Sequence, residues 1–237
     1  MDRGLEIVRR LGDEPVIQEF VHGKSVSIEV IGDGSSARSF ITTEVVLDSN
    51  YDCKMVRCFP DIMEESDVTQ FREIGENVAA AIGLRALMDV EAILTPKGLR
   101  VLEIDARIPS QTPAAIYIAT GVNLLEELVT TTLGQPAGRT SSGGSGIYWH
   151  LHFKDGVLRT TGEKEFGKVR SPKMGSGLFG SDRFISDYVP GAGEWHGTFM
   201  VSGATPDEAE ARRLSVLEQV EKECGVTEYV DGTPKVI

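Results

Sequence analysis

In the stretch VLEIDARIPSQTP (101–113), Glu103 and Asp105 stand two residues apart and Arg107 two further on. Alternate residues of an extended strand share a face, so the three project together. Asp89 and Glu91 have the same spacing in the preceding apolar stretch RALMDVEAIL (85–94), and TPKG (95–98) separates the two stretches as a turn. A hairpin closed at that turn sets Glu91 opposite the acids of the second strand, and three or four carboxylates converge. Like charges facing each other destabilise a sheet, so the group calls for a cation. Hard oxygen donors suit Mg²⁺ or Mn²⁺, with substrate phosphates completing the shell. Arg107, on the same face, suits a phosphate oxygen. The spacing alone also fits an edge hairpin whose charges face water. The other face favours a buried sheet, because Val90, Ala92, Val101, Leu102 and Ile104 make both strands nearly continuously apolar.

The elements around this hairpin follow from periodicity. PVIQEFV (15–21) and KSVSIEVIGDG (24–34) read as strands joined at His22-Gly23, and the second alternates Val26, Ile28, Val30 with Ser25, Ser27, Glu29. Gly32-Asp33-Gly34 is turn chemistry, 36–47 a return strand and 51–60 a looser extended stretch. Residues 64–82 read as a helix, with a stripe of Val68, Phe71, Ile74, Val78 and Ile82 and acids in its first turn. Asn123 opens another helix that Gly134 stops. GQPAGRTSSGGSG (134–146) is a Gly/Ser-rich break. Beyond it come short strands at 146–153 and 156–161, a Gly-rich stretch without a period (162–194), and a strand over 195–203. A final helix from Pro206 has Thr205 as N-cap and Glu208 at the capping-box position.

Composition narrows the function. The chain has 237 residues, 41% hydrophobic and 25% charged, with a net charge of −12. That is enough chain for one large or two smaller domains. An acidic surface does not hold a nucleic-acid backbone, which needs a basic face. Three cysteines without a CxxC point to a reducing cytoplasm rather than to disulfides or a zinc knuckle. No apolar run is long enough for a membrane span, and the charged start MDRGLEIVRR is no signal peptide. That start, with Leu5, Val8 and Leu11 at helical spacing, reads as the tail of a helix.

VEAILTPKGLRVLEIDAR is similar to the metal-binding strand pair of the ATP-grasp superfamily, and PVIQEFVHGKSVSIEV to its adenine hinge. SIEVIGDG, YDCKMV, EIDARIPSQTP and TGVNLLEEL narrow the resemblance, clear over about 15–133, to the amino-acid ligases of pyrrolysine biosynthesis. The resemblance implies an α+β fold: an ATP-grasp C-terminal subdomain, an antiparallel sheet with helices, in 1–133, then a linker or loop (134–146). A small β-rich α/β domain with a terminal helix (147–237) follows. It implies ATP and Mg²⁺ or Mn²⁺ as cofactors, lysine and methylornithine as substrates, and an amide formed through an acyl phosphate.

Residue by residue, the resemblance makes Glu91, Glu103 and Asp105 the metal ligands, Asp105 standing where most of the superfamily has Asn. Gln18, Glu19, Phe20 and Val21 fall on the adenine hinge. Ser25 stands where many relatives carry a ribose-binding Glu. Arg107 faces phosphate and acyl-phosphate oxygens and is the catalytic residue. Ser110, Gln111 and Thr112 follow in a substrate loop, and Glu29, Asp52 and Asp89 are the anions for substrate ammonium groups. Family members of this kind carry further parts ahead of the hinge, so the chain reads as a C-terminal portion, with a separate N-terminal ATP-grasp chain as a possible partner. Two other readings remain: an ATP-grasp ligase for other amino acids, and a noncatalytic module that binds its missing half.

Weaker signals read as packing. His150 and His152 share a strand face, and such a pair can bind zinc, but no third ligand is near in the sequence. Cys53 and Cys58 read as small buried thiols, Trp149 and Trp195 as core. The last helix reads as a packing helix through Ala209, Leu214, Leu217 and Val220.

Overall fold

The computed structural model describes residues 17–135 and 143–234, with residues 6, 8 and 10 besides. Of the helix tail read at Leu5, Val8 and Leu11, only Val8 lies among them, and most of the 134–146 break lies outside them. The elements in chain order are β1 (Lys24–Gly32), β2 (Ala37–Leu47), β3 (Cys53–Cys58), α1 (Glu65–Ile82), β4 (Leu87–Thr95) and β5 (Gly98–Asp105). There follow α2 (Thr112–Thr120), α3 (Leu124–Thr132), β6 (Ser145–Lys154), β7 (Val157–Thr160), α4 (Glu163–Phe166), β8 (Lys173–Gly175) and β9 (Arg183–Ser186). β10 (Glu194–Gly203), α5 (Pro206–Cys224) and β11 (Glu228–Val230) complete the set. The class is α+β.

The strands form one sheet in the order β5-β4-β1-β2-β3-β6-β10-β9-β8, with β7 on β6 and β11 parallel to β7. The pairs along the main path are antiparallel. The junction between the two segments of the chain is β3 against β6, where Met55 faces Trp149 and Val56 faces Tyr148. The sheet is therefore continuous across the 134–146 break, and the two sides differ in their cores. Val26, Ile28, Val30, Met88 and Val90 pack under α1 through Phe71 and Ala79. Trp149, Trp195, Phe199, Leu151 and Val201 pack under α5 through Ala209, Val216 and Val220. A third cluster bridges them, with Val56 and Tyr148 against Ala115, Ile116 and Ala119 of α2.

Local sequence accounts for the helix ends. Asn123 accepts from the Leu125 and Glu126 amides and starts α3. Thr205 accepts from Glu208 N and starts α5, while Glu208 reaches back to accept from Ala204 N, the residue before the N-cap. Two stripe positions miss the core: Ile82 is 58% exposed at the end of α1, and Leu214 is 49% exposed on α5. The apolar faces are narrower than the periodicity suggested, because the small Gly75 and Ala79 take the closest contacts of α1.

Two expectations fail. Residues 17–22 form no strand, although 15–21 read as one. A strand needs a ladder partner, and the neighbour of β1 on that side is β4, whose other edge is taken by β5. The second concerns 110–112, read as loop: Thr112 opens α2, with Pro113 in its first turn where a missing N–H is harmless. α2 lies so close to β6 that a Cβ on Gly146 would sit 2.7 Å from Ile118 and 2.9 Å from Ala119. Gly146→Val is expected to lower stability by about 1–3 kcal/mol through overpacking, read as a fall in urea midpoint. An unchanged midpoint would show that α2 does not seat on β6.

Candidate functional site

Strand register builds the site. Across β1, β4 and β5, Glu29 pairs with Asp89 and Asp89 with Asp105; one step along, Ser27 pairs with Glu91 and Glu91 with Glu103. Directly paired residues of neighbouring strands share a face, so five carboxylates occupy two adjacent rows. The expected convergence of Glu91, Glu103, Asp105 and Asp89 is present, and β1 adds Glu29. Burial is graded along the rows: Glu29 is fully buried, Asp89 is 3% exposed, Glu91 and Asp105 are half-buried and Glu103 is exposed.

Few of these anions are compensated. Both Glu29 oxygens and Asp89 Oδ1 are buried without a hydrogen-bond partner among the described residues. Ser27 Oγ donates weakly to Asp89 Oδ2 at 3.4 Å, and Arg107 pairs with Asp105. Loss of solvent raises the Glu29 carboxyl to about 8, with the nearby Thr112 hydroxyl offsetting part and Asp89 adding to it. Burial, then the Asp105 charge, raises Asp89 to about 6; burial, then Asp89 and Glu103, raises Glu91 to about 7. The group is a site short of positive charge.

The hairpin is buried on one strand only. β5 forms the sheet edge, and Val101, Leu102 and Ile104 are 45%, 47% and 44% exposed, against the expectation of a buried pair. β5 also carries a bulge: the register shifts after Glu91, so that Ala92 faces Val101 and Ile93 faces Arg100. The extra residue returns Arg100 to the side of Glu103, which a strict two-residue period does not foresee.

Arg100, Glu91, Glu103 and Ser25 line a cleft of about 790 Å³ together with Gln18, Glu19, Phe20 and Val21. Ile93, Val46 and Leu47 give it an apolar floor, a surface suited to a planar base. Phe20 stands edge-on to His22 and Tyr51, with centroids at 4.8 and 6.1 Å. The expected hinge thus lies beside the expected metal ligands, as an extended segment without a ladder. The cleft has a further wall that the sequence did not suggest: Thr233 and Pro234 reach it from the C-terminal side. They follow Asp231 and Gly232, which the buried Lys54 ammonium holds at 2.5 Å and 2.8 Å.

At the other end of the acid rows sit Gln111 and Thr112, both buried, Thr112 with its hydroxyl unpartnered. Ser110 is exposed beside them. Gln111 Oε1 accepts from the Cys53 thiol at 2.9 Å, a thiol that burial keeps protonated, consistent with a small packed residue. Asp52 turns elsewhere: its carboxylate accepts from Lys164 N at 2.8 Å and caps α4. It is already used where it was expected to hold a substrate ammonium.

Residues 3–111 match the ATP-grasp domain family. The relatives narrow this. The chain is 43% identical over 162 residues to the 3-methyl-D-ornithine–L-lysine ligase of Methanosarcina barkeri, covering 65% of this chain and 42% of that protein. It is 38% identical over 214 residues to the ligase of the same name from Methanosarcina mazei, covering 86% and 54%. The chain thus spans about half the length of these curated relatives. Among solved structures, the biotin carboxylase domain of the Hydrogenobacter thermophilus 2-oxoglutarate carboxylase, in complex with MgADP, ADP and bicarbonate, superposes with a TM-score of 0.60. At 15% identity, over 82% of this chain and 45% of that one, it shows the fold alone.

The raised carboxyls give a pH signature. Metal-free, the folded chain binds more protons than the unfolded one wherever a carboxyl is raised, so stability falls as pH rises from about 4.5 towards 8. Glu29→Gln should remove the largest single part of that decline, the part nearest pH 8 above all, in urea melts at stepped pH. An identical slope in wild type and Glu29→Gln would mean that Glu29 is not the buried proton carrier.

Proposed function

We propose that the chain carries the nucleotide- and metal-binding part of an ATP-dependent carboxylate–amine ligase, joining lysine to methylornithine in pyrrolysine biosynthesis. The observation that carries this reading is the double row of five carboxylates, of which Glu91 and Glu103 line the cleft of residues 18–25. The donor set fits Mg²⁺ or Mn²⁺: hard carboxylate oxygens, graded from dry to wet, with too few protein cations to neutralise them. Glu91, Glu103 and Asp105 would hold the ions, which when bound neutralise the triphosphate and the charge that leaves with it. The MgADP of the 2-oxoglutarate carboxylase domain supports the pairing of this fold with that ligand.

The chain's own groups divide the remaining tasks. Backbone groups of Gln18–Val21 meet the base edge while Phe20, Ile93 and Val46 exclude water from its faces. Ser25 lies where the ribose would pass. Arg107, exposed and tethered by Asp105, is free to swing to a phosphoryl or acyl-phosphate oxygen and stabilise charge there. Glu29 and Asp89 supply buried negative charge for an ammonium group, with Ser110, Gln111 and Thr112 beside them; Asp52 drops from this set because α4 occupies it. An arriving ammonium would convert Glu29 from acid to carboxylate and gain the full charge pairing of a dry site.

The exposed apolar residues Val101, Leu102 and Ile104 on the open edge of β5 support a further protein layer over the phosphate end. We assign that layer to the remaining length of the relatives, in the same or a separate chain. Free Cys53, Cys58 and Cys224 suit the cytoplasm, and none of the described helices is long and apolar enough to cross a membrane.

Calorimetric titration with a nonhydrolysable ATP analogue tests the site. Binding is expected with Mg²⁺ present, lost without it and weakened at least ~10-fold in Glu103→Ala. Supplemented with the rest of a relative, the protein should release ADP only when lysine and methylornithine are both supplied. Nucleotide binding indifferent to Mg²⁺ and to Glu103 would overturn the assignment of the acids, and ADP release indifferent to either amino acid would overturn the substrates.

A further inference from the structure

A second group of potential ligands lies far along the sheet, on the outer face of β6 and β10. His152 and His196 are directly paired across these strands, both nearly buried, with their rings stacked at 4.3 Å. Each ring has one nitrogen turned to a carboxylate on the far side. His152 Nε2 lies 3.1 Å from Glu194 Oε1, and Glu194 is held ionised by Lys154 at 3.0 Å, so that nitrogen carries the hydrogen and donates it. His196 Nδ1 faces Asp187 Oδ2 at 3.9 Å. The other two nitrogens, His152 Nδ1 and His196 Nε2, face one atom, Glu165 Oε1 of α4, each at 3.6 Å. His196 Nε2 is buried and has no hydrogen-bond partner among the described residues.

These distances suit an ion better than a hydrogen bond. At 3.6 Å a nitrogen and a carboxylate oxygen are beyond hydrogen-bond range. Two ligands at about 2.0–2.1 Å from a tetrahedral zinc lie about 3.4 Å apart. The outer carboxylates complete the pattern, since a ligating histidine commonly gives its other N–H to a carboxylate that fixes its tautomer. Lys168 pairs with Glu165 Oε2 at 2.6 Å and leaves Oε1 for the site.

We propose that His152 Nδ1, His196 Nε2 and Glu165 Oε1 form a binding site for one zinc-class divalent ion, with a water in the fourth position. It stands apart from the acid rows of β1, β4 and β5 and does not depend on the ligase reading. An imidazole ligates along its ring plane, so loading tilts the two rings out of their parallel stack. The ion would pin α4, a four-residue helix without a buried residue of its own, to the sheet. The His-x-His pair of the sequence enters with one member only: His150 Nδ1 is taken by the Thr198 hydroxyl at 2.7 Å and its ring stacks on Phe166.

The test is titration of the purified chain with Zn²⁺ by calorimetry and with Co²⁺ by visible absorption. In excess Mg²⁺, which occupies the acids of β1, β4 and β5, one tightly bound Zn²⁺ per chain is expected, together with the intense absorption of four-coordinate cobalt. Glu165→Gln, on a part-exposed helix that tolerates the change, should weaken zinc at least ~100-fold. Glu194→Gln should weaken it ~10–100-fold by releasing the His152 tautomer. Glu218→Gln, an exposed acid that belongs to neither group, should change neither signal. No zinc binding, or zinc binding untouched by Glu165→Gln in a protein that melts like wild type, would overturn the site; so would loss in Glu218→Gln alone.

Discussion

Charge crowding on one sheet face is the constraint from which the rest of this structure follows. Three neighbouring strands bring Glu29, Asp89, Glu91, Glu103 and Asp105 together, and a fold does not keep unpaired buried anions without an energetic cost. The protein meets that cost partly by holding protons: the fully buried Glu29 is raised furthest, and Asp89 and Glu91 are raised beside it. On the reading proposed above, arriving metal ions and ammonium groups would meet the remainder, so stability and function are opposed at these residues.

The opposite face of the same strands supplies the rigidity that such a site needs. Val26, Ile28, Val30, Met88 and Val90 alternate with the acids and are closed off by α1. A carboxylate on a strand so packed cannot turn away from its neighbours, which is what places five of them within reach of common ligands. β5 has a strand on one side only, and its apolar residues Val101, Leu102 and Ile104 are exposed, as is Arg107 just beyond its end.

The C-terminal segment belongs to this arrangement through specific contacts. Strand β6 continues the sheet from β3, Lys54 of β3 anchors Asp231, and the residues after it reach the cleft. Asp48 and Asp52, in the loop that also places Tyr51 beside Phe20, accept from the Gly162 and Lys164 amides at the start of α4. The helix that brings Glu165 to His152 and His196 is therefore tied at its other end to the wall of the cleft.

Much of this was legible in the sequence, for reasons of range. The two-residue periods of 24–32 and 87–105, the helix over 64–82 and the capping signals at Asn123 and Thr205 depend on neighbours a few positions apart, so local pattern declares them. The acids of one hairpin, 89, 91, 103 and 105, were readable because a short turn fixes who faces whom. Contacts set by strands far apart in the chain were not. Glu29 joins Asp89 only because β1, not another strand, takes the free edge of β4. Arg100 turns to the cleft through a bulge that a strict alternation hides. Asp52 is diverted by a helix more than a hundred residues away, and His152 finds Glu165 and His196 rather than the His150 next to it in pattern. The sequence determined which strands and helices form and which residue types are available for chemistry. Tertiary structure decided which of them share a face, because strand order and register are settled by burial of the whole sheet and not by any one segment.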